Sequence, residues 1–505
     1  MNAQLRHVMI VLLACFCLLF LQLNRVQIFQ ADALQENDAN NRGAQRDFNR
    51  DRAEIVTSDG VVVARSEPSD GFFSRQRVYP EGELYAHTVG YVSFTVGTEG
   101  VERTANDAIT GQTAAQQLDD LTNLLDPDPE VGSVVLTLDH ELQSTARAAL
   151  GQRAGSVVAL DPRTGAIKAL WSYPSFDPNT VASNDTNAAN AAYLELLETE
   201  GNPLRAKAFR DVFFPGSTFK IVTAAAGIEE DVITLTEPVF PQSAQYVPPL
   251  TTRPITNFGG RECGGNLIEL LVRSCNVQFA ELAAEQIGPG KMEQQARANG
   301  FNEIPPIDLP GAVESIYPLP ETFGARLEDP SPERPAGLFE NTPLLAQSGI
   351  GQFEVQGSPL LMALIAAGVA NDGEIPSPHV LAEVRDADGG VLSRNQPSGW
   401  RRSMEPETAQ ALQEALLQAG REGSGNTASV SGLDVSVKTG TAQLGTDPPR
   451  SNAWIVGYAG LPGGEPELAV AVLVEGQEGS GDQTGGRVAG PIARELFAAY
   501  FAGRL

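Results

Sequence analysis

Phe214-Pro215-Gly216-Ser217-Thr218-Phe219-Lys220 is the stretch on which the reading of this chain turns. Pro-Gly favours a helix start, and the apolar run Ile221 to Ile228 continues as a helix. Ser217 and Lys220, at i and i+3, then share one face, so the amine can touch the hydroxyl. A serine is a nucleophile only when a base takes its proton, and a lysine can serve once burial or a neighbouring cation lowers its pKa from about 10.4. Alone, S-x-x-K is weak evidence, because such a serine is more often a helix cap and such a lysine a surface residue.

Lysine occurs only at 168, 207, 220, 291 and 438, so its positions carry weight. Val437-Lys438-Thr439-Gly440-Thr441-Ala442 ends a predicted strand, Leu433 to Val437. Lys438 supplies positive charge, Thr439 and Thr441 can hydrogen-bond a carboxylate, and Gly440 lets a substrate lie close to the backbone. The bland alternative is an exposed strand end with a tight turn. Ser274-Cys275-Asn276 lies about 57 residues beyond Ser217, after the leucine-rich segment Leu267 to Val272. Ser393-Arg394-Asn395 and Ser424-Gly425-Asn426 match S-x-N as well, but only Ser274-Cys275-Asn276 has the order and rough spacing between the two lysine motifs while following an apolar helix that could fix it.

The 505 residues, 42% of them hydrophobic, are enough for two or three cores. With 35 basic and 63 acidic residues the net charge is −28, which repels polyphosphate, so nucleic acid is not an expected partner. Val8 to Leu23 carries no charge and runs about 16 residues, slightly short of the roughly 20 that span a bilayer. An anchor and a cleaved signal peptide both satisfy this run; Asn24-Arg25 follows in place of a small-x-small cleavage site and favours the anchor. The expected organisation is a cytoplasmic tail (1–7), a transmembrane anchor (8–24), a non-catalytic N-terminal domain (25–150) and a catalytic domain (151–505). Thr122 to Gly132 has linker chemistry.

From Gly155 the pattern is that of an α/β domain. Ser156 to Leu160, the turn Asp161 to Gly165 and Ala166 to Ser172 read as a β-hairpin. Further strands are expected only near the far end, at Leu433 to Val437, Ala453 to Tyr458 and Leu468 to Val474, followed by a helix, Ala489 to Tyr500. Such an order implies a sheet whose members are distant in sequence, with helices filling the interval. The Gly-rich stretch Glu475 to Arg487 reads as a mobile loop. Cys263 and Cys275 are about a dozen residues apart, a separation that a disulfide could close in an oxidising compartment. None of His7, His87, His140 or His379 is near them in sequence, so no zinc site is expected, and no other ligand cluster supports a metal-dependent mechanism.

The ordered set S-x-x-K, S-x-N, K-T-G is shared by penicillin-binding proteins and class A β-lactamases. From about Gly151 onward the chain resembles a class B penicillin-binding protein, a likeness carried also by SVVALDPRTGAIKALWSYPSFDPN (156–179), SGIGQFEVQGSPLLMALIAAGVAND (348–372) and SNAWIVGYAG (451–460). TSDGVVVA (57–64) and GYVSFTVGTEGVE (90–102) are most like the penicillin-binding protein A group of actinobacteria. The resemblance implies an antiparallel sheet flanked by helices and a D,D-transpeptidase without cofactor. It implies as partners peptidoglycan stem peptides ending in D-Ala-D-Ala, β-lactams, the cytoplasmic membrane and membrane-bound cell-wall synthesis or division proteins.

By the same resemblance Ser217 is the acylated nucleophile, Lys220 its base, Ser274 the proton relay, and Asn276 a holder of the substrate amide. Lys438, Thr439 and Thr441 bind the terminal carboxylate, and the N–H groups of Ser217 and Thr441 form the oxyanion hole. The sequence departs from the pattern at Cys275 inside S-x-N; bridged to Cys263, it would brace the loop that carries Ser274. A D,D-carboxypeptidase shares all three motifs and differs in accepting water. A penicillin sensor or scaffold is less compatible with only seven residues before the anchor, and a Ser-His-Asp hydrolase with histidines far from Ser217.

Overall fold

A computed structural model of the chain describes residues 2–25, 48–113, 116, 131–328, 331–481 and 483–504. Most of the Thr122–Gly132 stretch with linker chemistry, and the charged run up to residue 47, lie outside the described residues. Two compact units are present, one formed by 1–51 and 67–76, the other by 52–66 and 77–505.

In the first unit the helix Asn2–Asn24 is longer than the charge-free run that announces it. Its stretch Arg6–Asn24 is 19 residues of exposed, apolar helix, long enough to cross a membrane.

The second unit is built on a five-stranded antiparallel sheet, ordered Asp434–Gln443, Ser451–Gly460, Pro466–Val474, Gly155–Leu160 and Ile167–Tyr173. Strands from the two ends of the domain are therefore neighbours, with Val474 opposite Gly155. Every residue of Ser451–Gly460 is buried, which requires cover on both faces of the sheet. The helices Pro359–Ala370, His140–Leu150 and Gly485–Tyr500 supply it. Pro359–Ala370 is apolar all round and wholly buried, as such a pattern demands; Ser358 caps it by accepting the Leu361 N–H.

Two expectations are corrected. The strand that carries K-T-G continues to Gln443, five residues past Lys438, so the motif lies within the strand and not at its end. Gly485 to Arg487, read as loop, opens the C-terminal helix.

A second sheet places Val391–Arg394, Leu381–Arg385, Ser133–Leu136, Glu54–Val56 and Val62–Pro68 side by side. Glu54–Val56 runs parallel to Ser133–Leu136, the other pairs antiparallel. The sheet thus draws strands from both sides of residue 150. Next to it Glu102 is fully buried between two arginines, accepting from Arg77 Nε at 2.6 Å and Arg52 Nη2 at 3.0 Å. Burial pushes its carboxyl up, but Arg77 and Arg52 outweigh that and hold it below the ordinary value.

Glu102→Ala strands two buried guanidinium groups and is expected to destabilise this lobe by about 3–5 kcal/mol. Urea unfolding followed by fluorescence checks this, and a loss under about 1 kcal/mol would show the triad to be energetically idle.

Candidate active site

The nucleophile segment is held by four hydrogen bonds at three residues. Phe213 and Gly357 exchange backbone hydrogen bonds at 3.0 and 2.8 Å, Trp454 Nε1 donates to Phe214 O at 3.0 Å, and Gly216 N donates to Gly351 O at 3.0 Å. Gly216 sits at φ 53°, where a Cβ would come within 2.8 Å of Thr441 O, so only glycine lets this turn lie against the K-T-G strand. A Cβ on Gly440 would in turn lie 2.8 Å from Pro215 O. Ser217 occupies a 3₁₀ turn, Gly216–Phe219, and the α-helix Lys220–Glu229 begins only at the lysine. This corrects the single α-helical face read from the sequence; side chains three apart still eclipse in a 3₁₀ turn.

Lys220 is 0% exposed and points its amine at the second motif. It donates to Ser274 O at 2.8 Å, Asn276 Oδ1 at 2.7 Å and, more weakly, Ser274 Oγ at 3.4 Å; none of these bonds goes to Ser217. Lys438, 1% exposed, donates to the same Ser274 Oγ at 2.8 Å and to Thr439 O at 3.0 Å. Ser274 is therefore a hydroxyl between two buried amines.

Its position is built with strain. The helix Leu267–Arg273 starts in a capping box between Asn266 and Glu269 and ends on Ser274 in the left-handed conformation, φ 58° and ψ 46°. A non-glycine residue there costs about 1–2 kcal/mol, which the surroundings must offset. Cys275, next in the chain, is joined to Cys263 in a disulfide with Cα atoms 5.7 Å apart. Cys263 belongs to a short strand, Cys263–Gly265, paired with Phe240–Ser243.

Asn257 is a residue that the sequence reading missed. Buried in the loop after Ile255–Thr256, it accepts the N–H of Asn276 at 2.7 Å and of Val277 at 3.2 Å on Oδ1. Its Nδ2 donates to Ser243 O and Arg261 O, while Asn276 Nδ2 donates to Thr256 O at 2.9 Å. Asn257 thus caps the helix Asn276–Glu281 from 19 residues upstream, a role for which no local pattern exists.

Burial drives both lysine amines toward the neutral form. Lys220 is held well below its ordinary 10.5 by burial first and the charge of Lys438 second. Burial brings Lys438 down to about 7. Thr439 is buried and hydrogen-bonded to Ser424, and Thr441 is half-buried farther along the strand. The three motifs are thus one cluster, with Ser217 half-buried at its edge.

With that geometry in place, the penicillin-binding protein transpeptidase domain family matches residues 155–498, about two thirds of the chain. The chain belongs to the penicillin-binding proteins. Residues 52–135 of this penicillin-binding protein match the penicillin-binding protein A dimerisation domain. It is 33% identical to the peptidoglycan D,D-transpeptidase PbpA of Mycolicibacterium smegmatis over 99% of both chains. The identity to PbpA of Mycobacterium tuberculosis is 32% over 100% of both. The fold superposes on the ceftriaxone acyl-enzyme of penicillin-binding protein A from M. tuberculosis with a TM-score of 0.79 and 31% identity, covering 90% of this chain and 99% of that one.

Asn257→Ala removes the cap on the Asn276 helix and is expected to cost about 1–2 kcal/mol of stability. Differential scanning calorimetry reads this as a lower Tm, and an unchanged Tm would show the cap to be dispensable.

Proposed function

We propose that this chain is a serine-type peptidoglycan D,D-transpeptidase, anchored by its N-terminal helix, with its catalytic part outside the cell. The observation that carries the reading is the pair of buried lysines meeting at Ser274 Oγ beside the Ser217 turn, within a fold of this family. Ser217 Oγ attacks the carbonyl of the penultimate D-alanine, and its proton passes to Lys220. The peptide C–N bond breaks, Ser274 delivers a proton to the departing nitrogen, and D-alanine leaves. The amine of a neighbouring stem then attacks the acyl-enzyme, loses its proton, and restores Ser217 as the cross-link forms.

In this scheme Asn276 holds the substrate amide and keeps Lys220 aimed. Lys438, Thr439 and Thr441 receive the terminal carboxylate across the open backbone at Gly440, and the N–H groups of Ser217 and Thr441 stabilise the oxyanion. β-Lactams enter the same site and stop at the acyl-enzyme. We assign the anchor to 8–24, a non-catalytic domain to 25–150 and the transpeptidase to 151–505. Membrane-bound cell-wall synthesis or division proteins are the proposed partners, and a fluorescent fusion evenly distributed through division would count against a septal role.

Incubation with fluorescent penicillin should label Ser217, and Ser217→Ala should abolish the label, both read by peptide mass spectrometry. With a D-Ala-D-Ala stem peptide and an amine-bearing acceptor, cross-linked product should exceed hydrolysed product; hydrolysis alone would make the enzyme a carboxypeptidase.

The lysines also set a pH profile. The acylation rate constant should rise as Lys220 loses its proton, well below 10.5, and fall as Lys438 loses its charge at about 7. Lys438→Arg, which stays charged, should keep the rising limb and lose the falling one. A wild-type rate that climbs undiminished to pH 9 would contradict this assignment.

A further inference from the structure

Ser424-Gly425-Asn426 matches S-x-N as well as the second motif does, yet the amines of Lys220 and Lys438 bond to Ser274 and not to Ser424. The structure puts it to another use. Ser424 follows the helix Pro406–Glu422, and its hydroxyl is hydrogen-bonded to Thr439 Oγ1, the middle residue of K-T-G. Thr439 is buried, whereas Ser424 is exposed. Thr439 and Thr441 fall on one face of the strand, Lys438 and Gly440 on the other. Ser424 therefore touches the face that carries both threonine hydroxyls.

Its placement is fixed by packing. A Cβ on Gly425 would lie 2.5 Å from Val437 Cγ2, and one on Gly486 would lie 2.4 Å from Ser424 O. Thr427 Oγ1 donates to Gly486 O at 2.6 Å, tying the same loop to the start of the C-terminal helix. Backbone this closely seated cannot carry Ser424 away from Thr439 without disturbing the strand or that helix.

A threonine hydroxyl has one proton, and it can give that proton to a substrate carboxylate only when it is not already donating it to Ser424. We propose that Ser424 is a positioning residue for the carboxylate site. It donates its proton to Thr439 Oγ1 and so leaves the Thr439 proton free for the terminal carboxylate of the stem peptide or of a β-lactam. The proposal rests on the reading of Lys438, Thr439 and Thr441 as that site. Hydrogen bonds in such a chain reinforce one another, the Ser424 bond strengthening Thr439 as a donor.

The test compares benzylpenicillin with its methyl ester on the full chain in detergent, measuring the second-order acylation constant. Ser424→Ala should lower that constant for the acid by about five- to tenfold, the size of one hydrogen bond, and leave it within about twofold for the ester. Ser424→Thr, which keeps the hydroxyl, should hold the wild-type constant for both compounds. An equal loss on acid and ester, or no loss on either, would overturn the proposal. Wild-type protein that shows no preference for the acid would instead overturn the carboxylate site on which it rests, and the proposal with it.

Discussion

Two lysine amines buried around one serine hydroxyl impose the constraint from which the rest of the site follows. An ammonium group removed from water needs acceptors for its protons, and the fold provides them as backbone and amide oxygens: Ser274 O and Asn276 Oδ1 for Lys220, Thr439 O for Lys438. Among the described residues no carboxylate is bonded to either amine, which is why burial dominates and both are biased toward the neutral form. An aspartate or glutamate beside them would hold them charged and leave Ser217 without a base.

The acceptors stay in place because the second motif is over-determined. Ser274 is fixed in a left-handed conformation at the end of a capped helix, its neighbour Cys275 is bonded to Cys263, and Asn257 caps the helix that begins at Asn276. Strain at Ser274 is thereby offset by ordinary structure on either side. Glycine plays the complementary part at Gly216 and Gly440, where the nucleophile turn and the K-T-G strand approach too closely for any side chain.

Much of this was legible in the residues. The S-x-x-K, S-x-N and K-T-G motifs appear in order, and the strands at the two ends of the domain pointed to a sheet closed over intervening helices, as Val474 opposite Gly155 shows. What could not be read depended on contacts distant in sequence. Leu381–Arg385 is half-buried along its whole length and carries charges, so no apolar alternation marked it as a partner for Ser133–Leu136. Thr439-Gly440-Thr441 resembled turn chemistry because the reason for its glycine lies at Pro215, more than two hundred residues away. Asn257 and Ser424 are single polar residues in loops, and only folding reveals what they touch.

The central claim is that burial, with the charge of Lys438 beside it, holds the Lys220 amine well below its ordinary 10.5. With only five lysines in the chain, ¹³C-labelled lysine side chains can be titrated individually by NMR, the two buried ones assigned through Lys220→Met and Lys438→Met. The account predicts that Lys220 titrates well below 10.5 and that its value rises when Lys438 is replaced. A Lys220 amine that titrates at its ordinary value in the folded protein would contradict it.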